Sequence, residues 1–239
     1  MQRRFGELLP GWRPPAAPGP DVLEGRHARL ERLDAEAHAA DLFRANSADD
    51  AIWDYLPYGP FASAATYHRW AREMAGQADP FFYAIRDLAT GHLGGVASWL
   101  RITPAQGTIE VGHINLAPEL QRGRAATEAM WLMMDWAFAA GYRRYEWKCD
   151  ALNLPSRRAA QRLGFSYEGT FRQAAVVKGR NRDTAWFAIT DQDWPALAEA
   201  FRVWLDPGNF TAEGAQIERL SDLTALVRVS SDPVLAELR

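Results

Sequence analysis

Residues 107–150 read GTIEVGHINLAPELQRGRAATEAMWLMMDWAFAAGYRRYEWKCD. The run 107–116 alternates as a strand does and is ended by Pro118. The spacing then predicts a helix over 122–140. Ala126, Ala129, Met130, Met133, Trp136, Ala137 and Ala140 recur with the 3.6-residue period, and Gly141 supplies the stop. A second strand over 142–150 places Tyr145, Trp147 and Cys149 on one face and Arg144, Glu146 and Lys148 on the other. A central strand–helix–strand unit requires a parallel pair joined by a right-handed crossover, so the chain is a mixed α/β protein.

The helix opens on small and basic residues. The first turn of a helix carries N–H groups without intrahelical partners and a partial positive charge. Gly123, Ala125 and Ala126 keep the approach open, Arg122 and Arg124 add charge, and Thr127 offers a hydroxyl. A phosphate or pyrophosphate fits there; an ordinary basic, solvated helix start fits the same letters. Neither G-x-x-x-x-G-K-[ST] nor G-x-G-x-x-G occurs in the chain, so this is neither a nucleotide P-loop nor a dinucleotide fingerprint.

Working outward, residues 1–20 are rich in proline and glycine and read as an extended arm. VLEGRHARLERL (22–33) reads as one strand, and DAEAHAADLFRAN (34–46) as a helix capped by Asp34. IWDYLPYGPF (52–61) is an aromatic loop broken by Pro57, Gly59 and Pro60. SAATYHRWAREMAGQ (63–77) is a helix capped by Ser63. FFYAIRD (81–87) and LGGVASWLRI (93–102) form a hairpin about Ala89-Thr90-Gly91. Beyond the central unit lie a short helix over 154–164, strands over 165–177 and 183–194 around the basic turn KGRNR, and a helix over 194–205. The apolar signal thins after Pro207, so 207–239 reads as a packed arm, a partner-binding helix or disorder. This gives three parts: arm 1–20, domain 21–206 and tail 207–239.

The 239 residues are 48% hydrophobic, enough for a sizeable core, and the net charge of −3 argues against a general nucleic-acid partner. The single cysteine, Cys149, excludes an internal disulfide framework and a multi-cysteine metal site. No run reads as a signal core or as a membrane span, so a soluble cytoplasmic protein is expected, and a homodimer is compatible with the sequence.

INLAPELQRGRAATEAMWLM (114–133) followed by ALNLPSRRAAQRLGFSYEGTFR (151–172) resembles the GNAT superfamily of acetyl-CoA-dependent N-acetyltransferases. The likeness is to its branch of ribosomal-protein N-terminal acetyltransferases and runs over roughly residues 22–205. The family's Q/R-x-x-G-x-G/A loop is met at Gln121 and Ala126, with Arg124 in a usual glycine position. Its N-x-x-S…L-G-F motif is met at Asn153, Ser156, Leu163, Gly164 and Phe165.

The resemblance implies a twisted, mostly antiparallel mixed sheet flanked by helices, with a splayed parallel strand pair. Acetyl-CoA would lie in the splay as co-substrate, with no metal. It would meet the backbone of Ile114, Asn115 and Leu116, the loop Gln121, Arg122, Gly123, Arg124, Ala125, Ala126 and Thr127, and also Asn153 and Ser156. The aromatic loop with Trp53, Tyr55, Tyr58 and Phe61, joined by Trp99, lies where the family builds its acceptor pocket.

Acetyl transfer to an amine needs a base for the ammonium and a proton for the departing thiolate. Glu110 is the candidate base and His113 the second; by strict alternation they face opposite ways, so they share a site only if the strand bulges. The family's tyrosine acid is replaced by Ala160, which leaves Ser156, His113, Tyr167 or solvent for that task. Cys149 reads as a packed residue rather than a nucleophile. The expected activity is N-acetyl transfer to a protein α-amine or a small-molecule amine. A non-catalytic acyl-CoA sensing module and an assembly protein working through 207–239 are the alternatives.

Overall fold

Residues 3–237 are described by the computed structural model; residues 1–2 of the arm and 238–239 of the tail lie outside them. Regular structure begins with a hairpin, β1 (Val22–Glu24) and β2 (Ala28–Arg32), where alternation alone predicts one continuous strand. The chain folds back at Gly25–His27 because the carboxylate of Glu128 collects the amides of Arg26, His27 and Ala28.

Helix α1 (Ala35–Asn46) starts at Asp34, whose side chain accepts from the Ala37 amide at 2.8 Å. A 3₁₀ turn over Asp50–Trp53 leads through the aromatic loop to α2 (Ala64–Ala75), which a Ser63–Thr66 capping box opens. Then come β3 (Phe81–Asp87), β4 (Leu93–Thr103) and β5 (Thr108–Leu116), followed by α3 (Arg124–Ala139) and β6 (Arg144–Asp150). Helix α4 (Leu154–Arg162), β7 (Ser166–Val177), β8 (Arg180–Thr190) and α5 (Trp194–Leu205) complete the sheet and its larger helices. Two short helices follow in the tail, α6 (Leu220–Ala225) and α7 (Pro233–Glu237).

All eight strands form one sheet in the order β1-β2-β3-β4-β5-β6-β8-β7. Every neighbouring pair is antiparallel except β5 and β6. One face carries a core of Trp99, Ile109, Val111, Tyr145, Trp147, Cys149 and Phe187 packed under α3, α4 and α5. The other carries Phe82, Ala84 and Val96 under α1 and α2, with Trp53, Tyr67 and Trp70. Helix α5 joins the first cluster through Leu197, Phe201 and Trp204. No described helix is long and apolar enough to cross a membrane.

Candidate active site

The parallel ladder is short. It joins Thr108 to Arg144, Ile109 to Tyr145, Glu110 to Glu146 and Val111 to Trp147, and there it ends. Strand β5 runs on to Leu116 and β6 to Asp150, so the two part beyond Val111 and Trp147. On its other side β5 stays paired with β4 as far as Leu116, and Gly95 makes this closeness possible: a Cβ there would meet the Asn115 carbonyl oxygen at 2.5 Å. The side of 112–116 that faces the splay therefore has backbone groups with no ladder partner.

Helix α3 points its first turn at this opening. Gly123 is the N-cap, and no side chain caps the helix. The amide of Thr127 reaches the Gly123 carbonyl at 3.3 Å, whereas the amides of Arg124, Ala125 and Ala126 have no acceptor among the described residues. Arg124 is helical, so its place in the family's glycine position is sterically ordinary; the left-handed backbone falls on Arg122, at φ 60°. The Arg124 guanidinium turns aside to lie 4.5 Å over the Phe210 ring. Gln121 is tied back to the Leu116 carbonyl at 2.9 Å, joining the loop to the strand end. These uncapped amides and the open strand edge fit a diphosphate and an extended amide-bearing arm.

Across the splay, Asn153 caps α4 by accepting from the Ser156 amide at 3.1 Å. The Ser156 hydroxyl accepts from Trp147 Nε1 at 3.0 Å, which sets it beside the free end of β6. Ala160, in the place of the family's tyrosine, is fully buried. Burial pushes the Cys149 thiol up to about 11, so it stays a protonated, packed side chain.

Glu110 and His113 lie on one face because β5 bulges between them. Val96 pairs with Asn115 and Ser98 with Gly112, so β5 carries one extra residue, and His113 absorbs it at φ 51°. The turn delivers the imidazole to the α1/α2 side, where its ring stacks on Tyr58 at 5.6 Å and meets Phe82 at 5.3 Å. Tyr58 Oη and His113 Nδ1 are 3.0 Å apart. Burial, helped by the charges of Arg101 and Arg182 and opposed by Asp79, lowers His113 to about 4. The imidazole is therefore neutral at pH 7, and burial holds the Tyr58 phenol protonated.

The Glu110 carboxylate is buried between two cations, Arg101 Nη1 at 2.6 Å and Lys148 Nζ at 2.9 Å. Burial raises its affinity for a proton, while Arg101 and Lys148 pull the other way; the net direction is upward. Lys148 also pairs with Glu146 at 2.7 Å and lies 3.8 Å over the Trp186 ring. Alternation assigns Lys148 and Glu146 to a polar strand face but not to a buried one. Arg101 and Lys148 are missed by sequence reasoning for that reason: their importance comes from the register that sets them at Glu110.

Two of the expected acceptor residues, Trp53 and Trp99, are buried in the core. Trp99 is fully buried on the α3 face, donates from Nε1 to the Tyr145 hydroxyl at 3.3 Å and packs on Trp136 at 4.5 Å, so it lines no pocket. Trp53 is a core ring packed on Phe61, Tyr58 and Tyr67, with its carbonyl taking the Lys178 ammonium at 2.9 Å. Tyr58 flanks His113, and Tyr55 is exposed with its hydroxyl on the Leu152 carbonyl at 3.2 Å. The aromatic loop thus spans from α1 to the β6–α4 connection and meets the β7–β8 turn at Lys178.

Residues 27–166 match the family model described as acetyltransferase (GNAT) domain. The crystal structure of a GCN5-related N-acetyltransferase from Brucella melitensis superposes with a TM-score of 0.89 at 44% identity, covering 91% of this chain and 100% of that one. An uncharacterized N-acetyltransferase, p20, of Bacillus licheniformis is 25% identical over 176 residues, which is 70% of this chain and 95% of its own length. A ribosomal L7/L12 alpha-N-protein acetyltransferase shares the fold, with a TM-score of 0.62 at 20% identity over 75% of this chain and 99% of its own.

Proposed function

The chain belongs to the GNAT acetyltransferase family and is an acyl-CoA-dependent acetyltransferase; from that premise we propose that its acceptor is a primary amine, foremost a protein N-terminal α-amine. The observation that carries the cofactor assignment is the conjunction of a splayed parallel pair with an uncapped helix start aimed into it. The amides of Arg124, Ala125 and Ala126, with Arg122 and Thr127 beside them, would hold the diphosphate. The open edge of Ile114–Leu116 would hold the pantetheine arm, and Asn153 would meet it from the far side. Bound acetyl-CoA supplies the thioester whose acetyl group is transferred.

The chain's own residues handle the protons. Glu110 takes one from the acceptor ammonium, leaving a neutral amine as nucleophile. Its buried, upward-shifted carboxyl suits that exchange better than an exposed one, whose affinity for the proton would be lower. Neutral His113, held by Tyr58, orients the amine rather than serving as a strong base. Ser156, held by Trp147, would relay a proton from solvent to the thiolate, receiving one as it gives up its own. Tyr55 and Tyr58 form the acceptor wall. A loop of this kind accepts an extended peptide end, and the likeness of fold to an enzyme that acetylates a ribosomal protein supports the α-amine. We place the activity in the cytoplasm, within a domain of residues 21–206.

The test is thiol release from acetyl-CoA against a panel of N-terminal peptides and small amines, with Glu110→Gln alongside. Removing a positioned general base is expected to lower kcat by about 10²- to 10⁴-fold. Unchanged turnover in that variant removes Glu110 from the mechanism, and release with small amines only removes the α-amine assignment.

A further inference from the structure

The two cations at Glu110 are not equivalent. Lys148 reaches Oε2 from inside: its side chain is 8% exposed, and it is held in addition by Glu146 and the Trp186 ring. Arg101 reaches Oε1 from outside. Its side chain is 60% exposed, whereas that of Glu110 is 3% exposed. The guanidinium is thus the link between a buried carboxylate and bulk water. Its aim is built into the backbone. Arg101 sits at φ 46°, in the left-handed region that disfavours a side chain, where the β4–β5 register shifts between Leu100 and Thr103. Asp79 fixes that turn by accepting from the amides of Arg101 at 2.9 Å and Ile102 at 3.0 Å.

We propose that Arg101 is a displaceable counter-ion standing at Glu110 Oε1 in the place of the acceptor's ammonium, so that this enzyme takes a cationic amine and binds it by exchanging one cation for another. The inference rests on the reading of Glu110 as the group that meets the amine. An exposed guanidinium is released into water at little penalty because water and salt solvate it there. Lys148 stays in place during the exchange, so the buried carboxylate is at no stage left unpaired. An arriving ammonium restores the charge that leaves. A neutral arylamine brings none and meets Glu110 with Arg101 still in position. Arg101 is in this sense a positioning residue, and it selects aliphatic, protonated amines.

The exchange is read without turnover. The full chain carrying ¹³Cδ-labelled glutamate, with the Glu110 resonance assigned by its loss in Glu110→Gln, is titrated with n-propylammonium chloride. Arg101→Ala, and Arg101→Gly, which suits the left-handed backbone, are expected to bind the probe about tenfold more tightly than the wild type, the scale of one charge-assisted hydrogen bond. Arg101→Lys is expected to follow the wild type, and n-propanol to move no resonance. In turnover, the KM of the best amine in the panel falls in Arg101→Ala while the acetyl-CoA KM does not follow it. Equal probe affinities in wild type and Arg101→Gly, no movement of the Glu110 resonance in any variant, or an amine KM that rises without Arg101 overturns the proposal. Full turnover in Glu110→Gln bears on the base alone, because the probe titration reports cation binding at Glu110 whether or not it transfers a proton.

Discussion

At the scale of single residues, the buried carboxylates decide most. Glu128 sits on α3 between apolar positions, and the helical period alone assigns it to solvent. Instead the β1–β2 turn wraps over it, and its oxygens take three successive amides, those of Arg26 at 3.0 Å, His27, and Ala28 at 2.7 Å. Gly25 is required beside it, since a Cβ there would meet the carboxyl carbon at 2.4 Å. Glu128→Ala leaves those donors unpaired in the interior and is expected to destabilise the fold by about 2–4 kcal/mol, measured by urea unfolding. His113 gives a pH signature. The unfolded imidazole binds its proton near pH 6.5 and the folded one near 4, so between these values the unfolded state holds more protons. The stability contribution is present above pH 6.5 and is lost as pH falls toward 4. Unfolding at pH 7 and 4.5 should differ by about 2 kcal/mol from this group, and His113→Asn should remove that part of the difference. Glu110 was legible as a strand carboxylate before the phosphate loop; its two cations were not, because Arg101 is nine residues away and reaches it only through a backbone turn.

At the scale of elements, periodicity located nearly every helix and strand, and local chemistry explains the exceptions. The basic turn predicted over 178–182 is really two residues: Lys178 at φ 49° and Gly179 at φ 74° make a tight hairpin, so β8 already begins at Arg180. The β1–β2 hairpin was hidden because its turn is stabilised by a residue about a hundred positions away. The β5 bulge was legible only as a condition, since alternation sets Glu110 and His113 apart until one residue is inserted. The divergence of β5 from β6 depends on the β4–β5 ladder holding the far side, and that ladder depends on Gly95. Gly95→Ala forces its methyl group against the Asn115 oxygen at 2.5 Å, Leu116 Cδ2 at 2.9 Å and the Leu116 Cα at 3.2 Å; the Leu116 side chain can turn away, but the two backbone atoms move only with the strand. A loss of about 1–3 kcal/mol is expected. The strand end that moves is the one proposed to hold the pantetheine arm, so CoA affinity by calorimetry should fall about tenfold, since a displacement of that end removes about one hydrogen bond. An unchanged affinity in a destabilised protein would separate the strand end from the cofactor.

At the scale of the whole molecule, the parallel central pair and its crossover follow from sequence pattern, whereas the full strand order, with β8 between β6 and β7, and the course of the tail do not. The tail's few apolar side chains are spread out, yet Leu220 is fully buried in the first cluster with Phe210, Leu223 and Val227 against it, and polar contacts complete the attachment. Thr224 donates to the Arg162 carbonyl at 3.0 Å, the Trp204 indole to Gln216 at 2.8 Å, and Asp232 receives Arg157 through two bonds of 2.6 Å. Arg157 lies on α4, the helix that carries Asn153 and Ser156, and its Nη1 also donates to the Ala151 carbonyl at 2.7 Å. The ion pair is buried on both sides, with side chains 3% and 0% exposed. Such a pair contributes little relative to a well-packed apolar substitute, yet removing one partner strands a charge in a dry interior. Arg157→Met and Asp232→Leu are therefore each expected to destabilise by about 3–5 kcal/mol, and the two together by much less. Urea unfolding of the two single variants and the double one measures the coupling. If the singles sum to the double, the tail is merely laid against α4. If the double recovers most of the loss, the two buried charges hold each other, and the orientation of α4 at the mouth of the splay is set in part from residue 232.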